Sequence, residues 1–363
     1  MQRIFCIGGP ADVGGANTEC WHTIKLWRQF GCEVTVVATF GTRMTDAWRQ
    51  RLLESGCTVV DPHETQLADL PGLPGAICVG FCNSRFRRIT PILKSLGCRL
   101  VYVPCMTEPF PDETKFRWPI DHYVFQSDYQ RSQWIPTLAV LDVESNRCTQ
   151  IRGAFDCEEF PFAPLRHEPG TPFFIGRLSR AVDTLDPRIP ILNKYPHDLW
   201  EQYAAIPYRP LRARVMGWHP GIESRCGKPP AWAEVFPQGA MSSREFLGSI
   251  HALVPGVGCC EENWPRVGLE AMAAGVPVIV EDLGGWREMP GSWRVKDRWD
   301  QAYWTARLAR NEELRTSVVD DARMQVALHA RAETLWAGWQ EVFRKVISNE
   351  CNRNPQTPVP VAG

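Results

Sequence analysis

Apolar positions along the chain fall in short runs separated by longer stretches in which they recur every three or four residues. Arg3–Ile7, Glu33–Phe40, Cys57–Val60, Ala76–Gly80, Leu100–Pro104 and His122–Gln126 are near-continuous apolar runs of strand length. Helix-length segments lie between several of them, among them Thr18–Phe30, a segment after Thr45 carrying Trp48, Leu52 and Leu53, and Phe86–Leu96. Strands without polar alternation are buried on both faces, and strands that alternate with helices form parallel sheets. The pattern restarts at Pro172–Ile175 and continues through Arg214–Met216, Ala252–Pro255, a helix over Gly268–Ala274 closed by Gly275, and the run Val276–Val280. Ser242 and Glu245 have capping-box spacing, which opens a further helix. The last third predicts three helices, over Gln301–Asn311, about Leu314–Ala330 and Glu333–Val346. The fold class is therefore α/β, doubly wound, and built twice.

The break between the two halves falls at Pro161–Gly170, where the composition shifts to Pro, His and Glu as in a linker. This places a first domain over 1–163, a second over 171–330, a C-terminal helix over 331–348 and an unpatterned, disordered tail over 349–363. The length of 363 residues supports two cores of that size. Lys and Arg number 40 against 41 Asp and Glu, so no global field draws the protein to nucleic acid or an anionic membrane. The 14 cysteines are scattered, with no CxxC pair, and read as reduced thiols of a cytoplasmic protein. The longest apolar stretch, Ala271–Val280, lies between Glu270 and Glu281 and is too short to span a bilayer.

The chemistry concentrates in Glu262-Asn-Trp-Pro-Arg-Val-Gly-Leu-Glu270. Glu262 lies in a loop after a strand, and Glu270 in the first turns of a helix. The amides near Val267 and Gly268 form the helix start, whose unpaired N–H groups and partial positive charge suit a diphosphate. The carboxylates on either side can accept hydrogen bonds from the hydroxyls of a sugar and a ribose. In isolation, two glutamates at this spacing are a solvated loop residue and a helix-dipole partner. The order that follows — helix, Gly275, Pro277, an apolar strand, Gly284-Gly285 — favours the site.

In that order, the segment resembles the nucleotide-sugar site of retaining, family-4-like GT-B glycosyltransferases, which carry two glutamates separated by seven residues and an Ala-Met-Ala-x-Gly-x-Pro-Val stretch. The resemblance implies two Rossmann-like domains facing across a cleft, with the last helix returning to the first. It implies that Glu262 contacts the transferred sugar, that Glu270 contacts the ribose, and that the amides of Val267 and Gly268 hold the diphosphate. Phe173-Phe-Ile-Gly-Arg-Leu-Ser-Arg180 resembles the family's strand ending in Gly-Arg-Leu, so Arg177 matches an arginine that reaches the diphosphate. The family's lysine five residues on is Val182 here, followed by Asp183, which leaves Arg180 or Arg188 to supply that cation. The glycine-rich loop Gly8–Gly15 lacks dinucleotide-binding spacing, and no carboxylate ends the second strand, which argues against a dehydrogenase. In the family this loop faces the donor phosphates, making Gly14, Gly15 and Asn17 candidates; a plain strand–helix turn is the alternative. Gly285 matches the Gly-Gly-x-x-Glu turn that closes the donor pocket. Gly217 and Trp218 stand where the family binds the base, and Trp218 can stack on it.

The expected reaction needs a UDP- or GDP-linked sugar as co-substrate, no cofactor, and no metal, since Asp-x-Asp does not occur. The loop Pro104–Phe110, which carries a histidine in the family, has none, and Glu108 is its nearest ionisable group. The sequence names neither acceptor nor oligomeric state. A nucleotide-sugar epimerase or phosphorylase and a non-catalytic nucleotide-sugar-binding module fit the same fold; Val182 and Pro265, which stands where the family has glycine, motivate the latter. A DNA acceptor would draw on Arg85–Arg88 with Lys94 and Arg99, and on Arg209–Arg214.

Overall fold

The computed structural model describes residues 2–11, 14–38, 44–179 and 194–348. Arg180, Val182, Asp183, Arg188 and the tail from Asn349 lie outside the described residues. The chain divides into two compact units, Met1–Phe155 with Arg331–Gly363, and Asp156–Ala330.

The first unit holds strands β1 (Arg3–Ile7), β2 (Glu33–Val37), β3 (Thr58–Val60), β4 (Ile77–Phe81), β5 (Arg99–Val103), β6 (His122–Phe125) and β7 (Cys148–Gln150). Helices α1 (Gly15–Gln29), α2 (Asp46–Glu54), α3 (Ser84–Ser95), α4 (Pro111–Lys115) and α5 (Asp128–Val140) connect them. All seven strands are parallel, in the order β3-β2-β1-β4-β5-β6-β7. The β1–β4 neighbourhood is where the strand order reverses, so loops at the carboxyl ends of those strands diverge there. The sheet separates two apolar layers. One gathers Ile4, Ile24, Trp27 and Val101; the other gathers Phe5, Phe86, Leu100 and Trp134. The local predictions hold in detail. Thr45 caps α2 by accepting the Trp48 N–H at 3.3 Å. Leu53 is the exception: Trp48 and Leu52 are buried, but Leu53 is 48% exposed, one step round the helix from the apolar face.

The second unit holds β8 (Phe173–Leu178), α6 (Leu199–Ala204), β9 (Leu211–Met216), α7 (Pro220–Cys226), β10 (Ala233–Phe236), α8 (Ser243–Leu247), β11 (Ala252–Leu253), α9 (Arg266–Ala274), β12 (Ile279–Glu281), β13 (Trp293–Val295), α10 (Arg298–Arg310) and α11 (Glu312–His329). Four strands form a parallel sheet in the order β10-β9-β8-β11, and β12 pairs with β13. A parallel bridge between Leu253 and Val278 joins the two sets. The order reverses between β8 and β11; Arg177 lies near the carboxyl end of β8, and Glu262 in the loop that follows β11. Pro161–Gly170, read above as a linker, runs along this unit. Its Ala163 N–H donates to the Ala274 carbonyl at 3.1 Å. Phe162 and Pro164 pack on Gly275, which caps α9.

The last helix, α12 (Ala332–Ser348), belongs to the first unit. Its Leu335, Trp339, Val342, Phe343 and Val346 join the cluster of Ile4 and Trp27, with Trp27 and Trp339 edge to face at 5.0 Å. Burying a side chain of that size is worth roughly 2 kcal/mol, so this one face ties α12 firmly to the first unit.

Candidate active site

Arg177 is the fifth residue of β8, and Gly176 before it lies against Ile250. A surface arginine at a strand end is the plain expectation, but Arg177 is 3% exposed. Its guanidinium lies 4.1 Å from the Tyr195 ring centroid. One terminal nitrogen donates to the Lys194 carbonyl and the other approaches Cys259 Sγ at 3.7 Å. Arg177 is therefore a buried cation beneath Lys194 and Tyr195.

The cation facing outward is Lys194. Its Nζ donates to Glu262 Oε1 at 2.6 Å, with 30% of the lysine side chain and 28% of the glutamate side chain exposed. Burial disfavours the ammonium, but the Glu262 carboxylate outweighs it and holds the Lys194 pKa above its ordinary value. Sequence reasoning missed Lys194. The family spacing pointed to Val182 and, in its place, to Arg180 or Arg188, whereas the cation beside Glu262 stands 17 residues after Arg177. Its one sequence signal is its place directly before Tyr195, a buried aromatic.

Glu262 is fixed from below. The Gly285 N–H donates to the Glu262 carbonyl at 2.7 Å. A Cβ on Gly285 would lie 1.9 Å from the Asn263 carbonyl oxygen, so only glycine lets the Gly284-Gly285 turn come this close. Gly285 thus seats the glutamate loop. The other side of the same loop is held by Gln202, which exchanges hydrogen bonds with the Val257 N–H and C=O, both 2.8 Å, and by Glu281, which accepts the Gly258 N–H at 2.7 Å.

Glu270 sits on the buried side of α9, 8% exposed, with no hydrogen-bond partner among the described residues. Burial pushes its carboxyl up to about 7; Arg266 pulls it down and Glu159 pushes it further up. The two carboxylates thus occupy different surroundings: Glu262 is paired with Lys194, while Arg266 and Glu159 are the charged neighbours of Glu270. Of the two amides that the sequence assigns to the helix start, Gly268 is already engaged, donating to the Pro265 carbonyl at 2.9 Å. Its Cα abuts Trp286. Among the described residues the Val267 N–H has no backbone acceptor, and Pro265 at the cap has no N–H to offer.

Gly217 and Trp218 connect to this cluster through Tyr195, whose hydroxyl donates to the Gly217 carbonyl at 3.3 Å. Trp218 meets Tyr195 edge to face at 6.2 Å and Trp200 at 5.3 Å. An open cavity of about 730 Å³ lies at the carboxyl ends of β9 and β10, lined by Trp218, His219, Glu223, Lys228 and Pro237. Tyr195 therefore bridges a cavity wall and a buried cation.

In the first unit, Gly14 caps α1 at φ +108°, a backbone that glycine adopts without strain. Its carbonyl accepts the N–H groups of Asn17 and Thr18 at 3.0 and 3.2 Å, and Gly15 is the first helical residue. The loop from Pro104 is pinned by Gln130, which donates to the Pro104 and Met106 carbonyls, and by Trp134, which donates to Met106 at 3.1 Å. Much of the basic character noted in the sequence is neutralised internally. Arg87 is buried against Glu113 at 2.9 Å and Tyr102 at 2.6 Å, Lys94 pairs with Asp121 at 2.9 Å, and Arg214 with Glu234 at 2.8 Å. Among the described residues no helix is long and apolar enough to cross a membrane.

No protein-family model matches the chain, and no curated protein sequence does. Solved structures do. The Anabaena HepE complex with UDP-glucose is 13% identical with a TM-score of 0.67, over 96% of this chain and 100% of that one. A TarM variant from S. aureus, in complex with UDP and α-GlcNAc-glycerol, is 12% identical with a TM-score of 0.65, over 94% and 100%. AviGT4, a glycosyltransferase of avilamycin A biosynthesis, is 15% identical with a TM-score of 0.59, over 96% and 98%. Two units built on parallel sheets, a last helix that returns to the first unit, and superposition over nearly the full length of these enzymes give the same answer: the chain has the GT-B glycosyltransferase fold.

Proposed function

We propose that the protein is a glycosyltransferase that moves a sugar from a nucleotide-diphosphate donor to a hydroxyl acceptor, with retention and without a divalent metal. The observation that carries this reading is the Lys194–Glu262 pair, at the strand reversal of the second unit and backed by buried Arg177. Ligands of open α/β sheets bind at such points. HepE and TarM, which share the fold, were solved with UDP, and that supports a nucleotide donor.

In this reading Lys194 and the Val267 amide meet the diphosphate, and Arg177 adds positive field from beneath. Together they offset the charge that grows on the leaving phosphate oxygen. Glu262 accepts a hydrogen bond from a hydroxyl of the transferred sugar, and Glu270 from the ribose. The base occupies the cavity beside Trp218. The bond from the anomeric carbon to the β-phosphate oxygen breaks, the bond to the acceptor oxygen forms, and the acceptor's proton passes to the departing phosphate. The absence of Asp-x-Asp supports a metal-free course, and the scattered cysteines, none in CxxC spacing, a cytoplasmic setting.

A thermal-shift screen across UDP-, GDP-, ADP- and dTDP-sugars tests the proposal, since a ligand of the folded state raises stability with the logarithm of its excess over Kd. One nucleotide class should raise Tm by several degrees, and Lys194→Met should abolish the rise. No shift with any donor, together with no hydrolysis of any donor, would refute the assignment.

A further inference from the structure

Resting on the donor reading above, we propose that Lys194 latches Glu262 in the donor-free enzyme, and that the arriving diphosphate takes the ammonium and releases the carboxylate to bind the sugar. The latch is a single close contact: Nζ and Oε1 stand at 2.6 Å, and both side chains reach solvent over about a third of their surface. A diphosphate entering there can therefore reach the ammonium without opening the core.

The exchange follows from charge. Lys194 is a compact cation with three donors, and a diphosphate carries more negative charge than one carboxylate. A Glu262 oxygen occupied by an ammonium is a poor acceptor for a neutral sugar hydroxyl; once released, it is a strong one. The loop stays in place meanwhile, because the Gly285 N–H and the Gln202 and Glu281 contacts hold its backbone. Arg177 keeps the backbone of Lys194 in place through its carbonyl, so only the lysine side chain needs to move. Sugar recognition is then assembled after the phosphates are seated.

The test uses the free nucleoside diphosphates UDP and GDP, which carry no sugar for Glu262 to hold. Their Kd values are measured by titration calorimetry on the full chain at fixed ionic strength. Glu262→Gln frees Lys194 and removes a like charge, so it should bind the better nucleotide about fivefold tighter, the scale of a part-exposed ion pair. Lys194→Met should bind it at least tenfold weaker. In the double variant most of that gain should vanish, leaving only the part owed to the lost like charge. Equal or weaker binding by Glu262→Gln, or a gain undiminished without Lys194, overturns the latch while leaving the donor reading intact. A wild-type protein that binds neither of these, nor ADP or dTDP, overturns both. Glu262→Ser repeats the arm should the glutamine variant lose its ligand-free Tm.

Discussion

Glu262 and Glu270 carry the same functional group and meet different physics. Glu262 is half-buried against an ammonium, whereas Glu270 is enclosed on α9 and its carboxyl lies at about 7. Near neutral pH the empty site therefore holds Glu270 as a mixture of acid and carboxylate. Ribose hydroxyls donating to it favour the charged form, so binding lowers its pKa and expels a proton. Affinity for a nucleotide sugar, whose diphosphate does not titrate in this range, should accordingly fall as pH drops through 7. From pH 8 to pH 6 the loss should approach tenfold. Calorimetry at the two pH values checks it, and Glu270→Gln should bind more weakly at pH 8 with a flat profile. A wild-type profile as flat as the variant's would remove Glu270 from the ribose. The loop setting of Glu262 and the helical setting of Glu270 were legible from the sequence, because a strand, a loop and a helix start are local structures. Lys194 was not: what brings it to Glu262 is the return of the chain after 180–193, a tertiary event that leaves no spacing rule. The burial of Arg177 was equally illegible, since the aromatic face that covers it comes from Tyr195.

Among the elements, strand and helix period placed β1, β2, β4, β5, β6 and β8 within a residue or two at their starts, and the capping box at Ser242 and Glu245 opens α8 as expected. The elements that escaped are those whose signals are weak for physical reasons. β7 and β13 are three residues long, at the edges of their sheets, too short to show a period. α5 carries Pro136 in its interior, a residue that ordinarily marks a helix end. The turn at Gly284-Gly285 was legible as a motif through the resemblance, which implies that it closes the donor pocket; its role as a seat for the Glu262 loop was not legible. That seat is testable. In Gly285→Ala the new methyl would meet the Asn263 carbonyl, which is backbone and cannot rotate away. The loop must shift, breaking the hydrogen bond between the Gly285 N–H and the Glu262 carbonyl. Sugar transfer should fall by two orders of magnitude or more, given that displacements near 1 Å at a reacting centre cost about 100-fold. The Kd for the free nucleoside diphosphate should change by less than threefold. A variant that loses nucleotide binding as severely as transfer would make the turn a direct phosphate contact after all.

On the scale of the whole molecule, each unit buries a histidine that stays neutral when folded. His122 on β6 is fully buried, bonded through Nε2 to Thr149 Oγ1 at 2.8 Å. Burial, assisted by Lys345 of α12 and by Arg147 and opposed by Glu341, drops its pKa to about 4. His251 in the second unit accepts the Phe174 N–H at 2.8 Å on Nδ1 and donates from Nε2 to the Arg166 carbonyl at 3.1 Å. Burial lowers it to about 4 as well. Above pH 6.5 both histidines are neutral whether the chain is folded or not, and they leave stability independent of pH. Between 6.5 and 4 the unfolded chain takes up a proton that the folded unit refuses, so stability falls as pH falls; below 4 both states are protonated and the loss levels off. Each histidine thereby removes about 3 kcal/mol across that window. Glu113 in the first unit and Glu270 in the second have raised pKa values and act in the opposite sense, which masks the trend in the parent protein. A comparison with His122→Gln cancels them, because both proteins carry them. Amide hydrogen exchange resolves the units, reading the slowest amides of β4 and β5 against those of β8 and β9. The variant should lose about 3 kcal/mol less than the parent in the first unit on going from pH 6.5 to 4, while the second unit keeps the parent's dependence. Equal losses in the first unit would mean that His122 is protonated in the fold, with Glu341 outweighing both burial and the two cations beside it.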